Sequence, residues 1–398
     1  MSLSLPQPER SPNACPLCGS VSLVALFERR EVPVLLNRLY HSAAAARRAA
    51  TGRLEVVACH DCGFVFNRAF EPALVDYHAG YENDQGNSPA FSAHRSAMAG
   101  RILDFVTDRA KIGVVEIGCG QGQFLNELLE RAGGRIATAV GYDPAWRGVG
   151  PPGARIEARN FDADALRRLA SPIDVIVSRH VIEHLPDPVG FLAGIRAALP
   201  PLWRGRLFLE TPSLEWIVSG CVLHDFFHEH CNYFASATLR YALERAGFRA
   251  ETIDPVFDGQ YFWVEAAAGR PHTALRQTGK TVALPTALRS RENSFAANWH
   301  ARLAPLKANG NIAVWGAGAK GITFVNAVDR HSDWITCLID INPAKQDRFT
   351  PVTAHPVRRP DHAVRDGIAT IIIMNPNYRA EIEAALSRMG TCALLLDA

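Results

Sequence analysis

Apolar and polar positions alternate along this 398-residue chain in blocks that mark strands and helices. Residues 114–117 are apolar apart from Glu116, and Gly118, Gly120 and Gly122 follow at alternating positions. Phe124, Leu125, Leu128 and Leu129 then recur at helical spacing. The pattern predicts a buried parallel strand, a tight turn and a helix. Further strands are expected over residues 137–142, 174–178 and 206–210, with a helix over 191–199. After Ser236 a helix pattern closes at Gly247, and two strands follow over 250–256 and 261–267. The strand–glycine–helix pattern returns at residues 311–324, where Gly316, Gly318 and Gly321 are spaced G-x-G-x-x-G. Strands over 335–340 and 368–374 follow it, and helices are expected over 95–108 and 286–307. Strands alternating with helices predict an α/β chain with parallel sheets.

The length allows two or three domains. Hydrophobic residues make up 48% and charged residues 21%, as in ordinary globular proteins. A net charge of +2 gives no footing for nucleic acid or an acidic membrane as partner. No apolar run has the length of a membrane span, and the N-terminus lacks the apolar core of a signal peptide. Residues 1–13 read as a Pro- and Ser-rich leader and residues 269–285 as a linker. Four of the nine cysteines form two C-x-x-C-G knuckles, Cys15/Cys18 and Cys59/Cys62. Without a secretion signal this spacing favours a closed four-thiolate structural zinc site over disulfides. A cytoplasmic location is expected.

The first glycine turn differs from the dinucleotide fingerprint. It resembles motif I of the class I methyltransferases, which bind S-adenosylmethionine (SAM). That resemblance implies that Glu116, Gly118, Gly120 and Gly122 cradle the cofactor. Asp143, with Pro144, ends the second strand about 20 residues past the turn, where a carboxylate can accept ribose hydroxyls. The resemblance also implies that Phe161 covers the adenine and Asp162 meets its amino group. Arg179 and His180 sit at the C-terminal end of a strand, the edge at which parallel sheets bind ligands. Glu183-His184 reads as a structural element opening the next helix. Residues 77–94 are polar, aromatic and aperiodic, which suggests a substrate loop carrying Tyr77 and Tyr81. The segment HDFFHEHCNYF, residues 224–234, groups His224, Asp225, His228, Glu229 and His230. It lacks the H-E-x-x-H metal spacing and reads as acid–base machinery. At the second glycine turn a helix N-terminus suits a diphosphate, with Lys320 as its counter-charge. NAD is not expected, because only half of a dinucleotide fold follows.

In this order, a zinc module, a SAM domain, an x-H-E-H-x-x-Y-F segment and a further glycine-turn domain are together similar to the sugar C-methyltransferases. Those enzymes methylate a carbon beside the ketone of a nucleotide-linked 4-keto-deoxysugar, mostly in antibiotic pathways. The resemblance implies three domains: 1–75 binding zinc, 76–268 binding SAM, and a Rossmann-like 269–398 holding the nucleotide-sugar. It implies that His230 removes the proton beside the ketone, with Glu229, His228 and Tyr81 assisting. Tyr77, Phe227, Tyr233, Gly316, Gly318, Lys320, Asn375 and Tyr378 would meet the substrate. Phe227 stands where the family commonly has a tyrosine. That departure keeps O- or N-methylation of another small natural product as an alternative; a non-catalytic SAM-binding scaffold is a third reading. A monomer or weak homo-oligomer is expected.

Overall fold

The computed structural model describes residues 13–77, 80–82, 86–169, 172–272 and 284–398, with side chains in the last stretch from Leu288 onward. The leader, save Asn13, and the linker from residue 273 to 283 lie outside the described residues.

Three sheets organise the chain. The first is antiparallel, in the order Leu23–Pro33, Thr51–Cys59, Val65–Asn67 and Asn232–Tyr233. Its last strand comes from the segment just after His230, so this sheet and the proposed base share one stretch of backbone. The second sheet has seven strands, in the order Phe248–Val256, Tyr261–Ala268, Arg206–Pro212, Val175–Arg179, Ile112–Ile117, Ile136–Tyr142 and Arg155–Glu157. Only Tyr261–Ala268 runs against its neighbours. The central strand Ile112–Ile117 is buried along its whole length, which explains its near-continuous apolar run. The third sheet is parallel, in the order Val357–Arg358, Cys337–Ile339, Asn311–Trp315, Ile368–Ile373 and Leu394–Asp397. Its two edge strands are short, and the sequence pattern did not announce them. The class is therefore α/β as expected.

In the second sheet the chain turns to opposite sides of Ile112–Ile117, first to Ile136–Tyr142 and later to Val175–Arg179. A crevice forms at the C-terminal ends of strands where the order reverses in this way. The helix ahead of this strand runs Pro89–Phe105, not 95–108. The Ser88 hydroxyl caps it by accepting from the Phe91 N–H, and Pro89 occupies the first turn. Phe91, His94, Met98, Ala99 and Ile102 form its buried face. The histidine hid this face from an apolar pattern, so the aperiodic loop is shorter than the sequence suggested.

Candidate active site

One cavity of about 1890 Å³ joins the C-terminal ends of the second and third sheets. Both glycine turns line it, and so does His230.

At the first turn Gly118, Gly120 and Gly122 all have positive φ, at 74°, 54° and 77°. A Cβ at Gly118 would overlap the Val181 methyl, whereas at Gly120 it would meet nothing within 4 Å. The turn thus presents bare backbone to open space. Asp143 anchors it: one carboxylate oxygen accepts from the Gly120 N–H at 2.8 Å and the other from the Ala145 N–H at 2.7 Å. Glu116 is buried at the end of the central strand, and its Oε2 has no hydrogen-bond partner. Burial pushes this carboxyl up to about 8. An orphaned carboxyl beside a glycine cradle fits a ligand bearing both an ammonium group and a nucleoside. Phe161 meets Tyr142 and Phe191 edge-on, forming an aromatic wall. Asp162 lines the same region but is held by Arg159 at 2.6 Å and Arg168 at 3.1 Å, with the Ala165 N–H also on it. Pro144, Arg179 and His180 line the cavity as well. The buried Glu210 carboxylate binds Arg179 at 2.6 Å and His94 at 2.6 Å. His180 has φ 54°. Burial works against its cation, but the Glu183 and Glu210 carboxylates hold its pKa up to about 9.

In the middle of the cavity the Tyr81 hydroxyl donates to Glu229 Oε2 at 2.7 Å, and the Leu36 N–H donates to Oε1 at 3.1 Å. Burial raises the Glu229 carboxyl above its usual range. The Tyr77 hydroxyl lies 2.8 Å from His184 Nδ1, which is also 2.9 Å from the Glu229 carbonyl oxygen. A carbonyl only accepts, so His184 Nδ1 is the donor in that contact. The His184 and His230 rings stand edge to face, with centroids 4.7 Å apart. Donor atoms of Glu183, His184 and His230 lie within 4.8 Å of one another. Phe227 packs at 4.0 Å from the His230 ring. Burial, with His184, His180 and Lys320 nearby, holds the His230 pKa well below its ordinary value.

Several assignments change. His228 is absent from the cavity wall; its Nδ1 lies 2.9 Å from the Arg53 carbonyl and its ring packs on Phe70. It faces the first sheet, where its ring lies against Gly52, because residues 228 and 229 form a turn. Tyr233 is also turned away: its hydroxyl accepts from the Phe227 N–H at 3.1 Å and donates to the Phe227 carbonyl at 3.0 Å. It shapes the loop rather than the cavity. No hydrogen bond joins Glu229 to His230, so Glu229 does not orient that ring directly. Glu183 and His184, read as structural, both line the cavity. Their signal was available: they follow the strand Val175–Arg179 at the ligand-binding edge.

At the third sheet Gly316, Gly318, Asn375 and Tyr378 line the cavity. Asn375 donates to Gln260 at 2.8 Å, across to the second sheet. Lys320 forms an ion pair with Asp225 and lies 4.9 Å over the Trp216 ring. Lys345, which the sequence reading passed over, reaches the same turn: its Nζ is 3.3 Å from the Ala317 carbonyl.

Remote from the cavity, sulfurs of Cys15 and Cys62 lie 3.6 Å apart and those of Cys18 and Cys59 3.5 Å apart. All four lie within 4.8 Å of one another. A tetrahedron with zinc–sulfur bonds of about 2.3 Å has edges of about 3.8 Å, so the cluster fits one ion. Gly19 and Gly63 follow the knuckles with φ 79° and 77°, and their N–H groups close the turns onto the Cys15 and Cys59 carbonyls.

Known proteins resemble both halves of this arrangement. The family model described as "Methyltransferase domain" matches residues 91–253, and one described as "C-methyltransferase C-terminal domain" matches residues 280–392. The chain is 25% identical over 354 residues to the C-methyltransferase NovU of Streptomyces niveus, covering 83% of this chain and 81% of that one. A ubiquinone biosynthesis O-methyltransferase of Cereibacter sphaeroides is 33% identical over 95 residues, 22% of this chain and 37% of that one. Among solved structures, an N,N-8-amino-8-demethyl-D-riboflavin dimethyltransferase from Streptomyces davawensis aligns at 21% identity and a TM-score of 0.32, over 46% of this chain and 57% of that one. The glycine cradle and the family matches define a SAM-dependent methyltransferase. With the dedicated C-terminal domain also matched and NovU similar along most of its length, the chain resembles the C-methyltransferases in both halves.

Proposed function

We propose that the enzyme methylates the carbon beside the ketone of a nucleotide-linked keto-deoxysugar, with His230 as the base. The observation that carries this reading is the single cavity joining two glycine turns. Its volume of about 1890 Å³ exceeds the roughly 300–1,000 Å³ of a one-ligand site, so it has room for cofactor and nucleotide-sugar together. His230 lines that same cavity, within reach of a substrate held beside the cofactor in this reading.

Glu116, the glycine turn, Asp143, Pro144 and Phe161 would hold SAM, which supplies an electrophilic methyl group. His230 is neutral at pH 7 because its pKa is lowered, so it is ready to take a proton. It would remove the proton beside the ketone, and the resulting enolate carbon would bond to the methyl carbon as the methyl–sulfur bond breaks, its electron pair staying on S-adenosylhomocysteine. The Tyr81–Glu229 and Tyr77–His184 pairs fix the cavity wall around that carbon. Packing by Phe227 excludes water from the base.

The same reading assigns residues 1–75 to a structural zinc module, 76–268 to cofactor binding and 269–398 to the nucleotide. It places the enzyme in the cytoplasm, in antibiotic-type biosynthesis, as a monomer or weak homo-oligomer. Among the described residues no helix is long and apolar enough to cross a membrane.

The test is incubation in D2O with dTDP-4-keto-6-deoxysugars, with and without SAM, followed by product mass. Deuterium should enter beside the ketone without SAM and vanish in His230→Ala, and a methyl group should be gained only with SAM. Failure of both on every keto-sugar, while SAM still binds, would sink the sugar assignment.

A further inference from the structure

The second glycine turn is anchored much as the first is, by an aspartate at the end of the next strand. Asp340 ends its strand as Asp143 does. One Asp340 oxygen accepts from the Ala317 N–H at 2.8 Å and the other from the Asn342 N–H at 2.8 Å. Asp143 does the same with Gly120 and Ala145. The turn is tight: Gly316 has φ 112°, and a Cβ at Gly321 would overlap the Gly316 carbonyl oxygen. The ten-residue helix Ala319–Val328 opens from it into the cavity.

The two lysines at this turn are in different electrostatic states. Lys320 already has a counter-charge, the Asp225 carboxylate. Asp225 sits in the short turn Leu223–Asp225, five residues before His230, so this pair ties the glycine-turn helix to the segment carrying the base. Lys345 is only 6% exposed, and no carboxylate among the described residues lies within ion-pairing distance of it. Its contact is the Ala317 carbonyl, and its ammonium lies 3.8 Å from where a Gly318 Cβ would stand. An ammonium withdrawn from water without a counter-charge is costly. A helix N-terminus and a buried cation aimed at one bare turn together form an anion site.

We propose that Lys345, not Lys320, is the counter-charge for the diphosphate of the nucleotide-linked substrate, with Asp340 receiving its ribose, and that Lys320 positions the base-bearing segment instead. This rests on the nucleotide-sugar reading above and assigns its residues. Lys345 acts on binding; Lys320 acts on turnover through Asp225.

Calorimetric titration with dTDP and UDP, and with S-adenosylhomocysteine as a control of the fold, separates the two roles. Lys345→Gln should weaken the bound diphosphate at least tenfold and leave S-adenosylhomocysteine unchanged. Lys345→Arg, which keeps the charge, should stay within about threefold of the parent. Lys320→Gln should keep diphosphate affinity and lower kcat. Unchanged diphosphate affinity in Lys345→Gln, or its loss in Lys320→Gln, would overturn the assignment while leaving the substrate class standing. If neither diphosphate binds the parent enzyme while S-adenosylhomocysteine does, the nucleotide-linked reading falls, and this assignment with it.

Discussion

Adding one methyl group at neighbouring glycines of the first turn should give opposite phenotypes. Gly118 and Gly120 both have positive φ, so alanine at either costs about 1–2 kcal/mol in backbone strain. At Gly118 the new Cβ also overlaps the Val181 methyl, next to His180 and the Ile182–His184 turn. Relieving such an overlap typically costs a further 1–3 kcal/mol. Gly118→Ala should therefore lose about 2–5 kcal/mol of stability, several degrees in the unfolding midpoint of the cofactor domain. At Gly120 the methyl enters open cavity, so only the strain remains and the midpoint falls by less than in Gly118→Ala. That space is where the cofactor must lie if the turn cradles it. Gly120→Ala should then weaken S-adenosylhomocysteine at least tenfold, about 1.4 kcal/mol. Differential scanning fluorimetry and calorimetric titration of the two variants give the comparison. Parent-like S-adenosylhomocysteine affinity in Gly120→Ala would refute the placement of the cofactor on this turn.

Three further outcomes follow from the same geometry. Glu116 has its pKa raised from 4.5 to about 8, so the folded apo-enzyme holds a proton there that the unfolded chain releases; stability contributed by that proton is complete below about pH 4.5 and is lost as pH rises to about 8. If its carboxylate receives the cofactor's ammonium, S-adenosylhomocysteine affinity should rise by up to tenfold per pH unit between pH 6 and 8 with proton release, and Glu116→Gln should flatten that slope, as titrations in buffers of different ionisation enthalpy would report. Tyr81→Phe removes the 2.7 Å donor to Glu229, leaving that buried carboxyl with only the Leu36 N–H; about 1–3 kcal/mol of destabilisation is expected, and unchanged unfolding and kcat would show that the pair is idle. Elemental analysis should find one zinc per chain, and stripping it should lower kcat more than S-adenosylhomocysteine affinity, because strand Asn232–Tyr233 joins the cysteine-bearing sheet to the His230 segment; a metal-free enzyme with full turnover would break that link.

The sequence by itself determined whatever depends on local backbone chemistry. Glycines at positive φ, strand-terminal aspartates and C-x-x-C-G knuckles each form their turn from a few adjacent residues. Both glycine turns, the Asp143 carboxylate behind the first and the four cysteines were therefore legible, as was the α/β class. Tertiary structure decided which way a side chain faces and what holds it. His228 and His230 are two residues apart, yet one is fixed to the Arg53 carbonyl and the other opens on the cavity. The turn at residues 228 and 229 separates them, and Arg53, which holds His228, lies on a strand far away in the chain. Tyr233 is held by hydrogen bonds to Phe227, and Lys320 by Asp225 on another element. His184 reaches the site because the strand before it ends at the crevice. A lysine's charge is written in the sequence; whether that charge is free for a ligand depends on partners that only folding brings within reach.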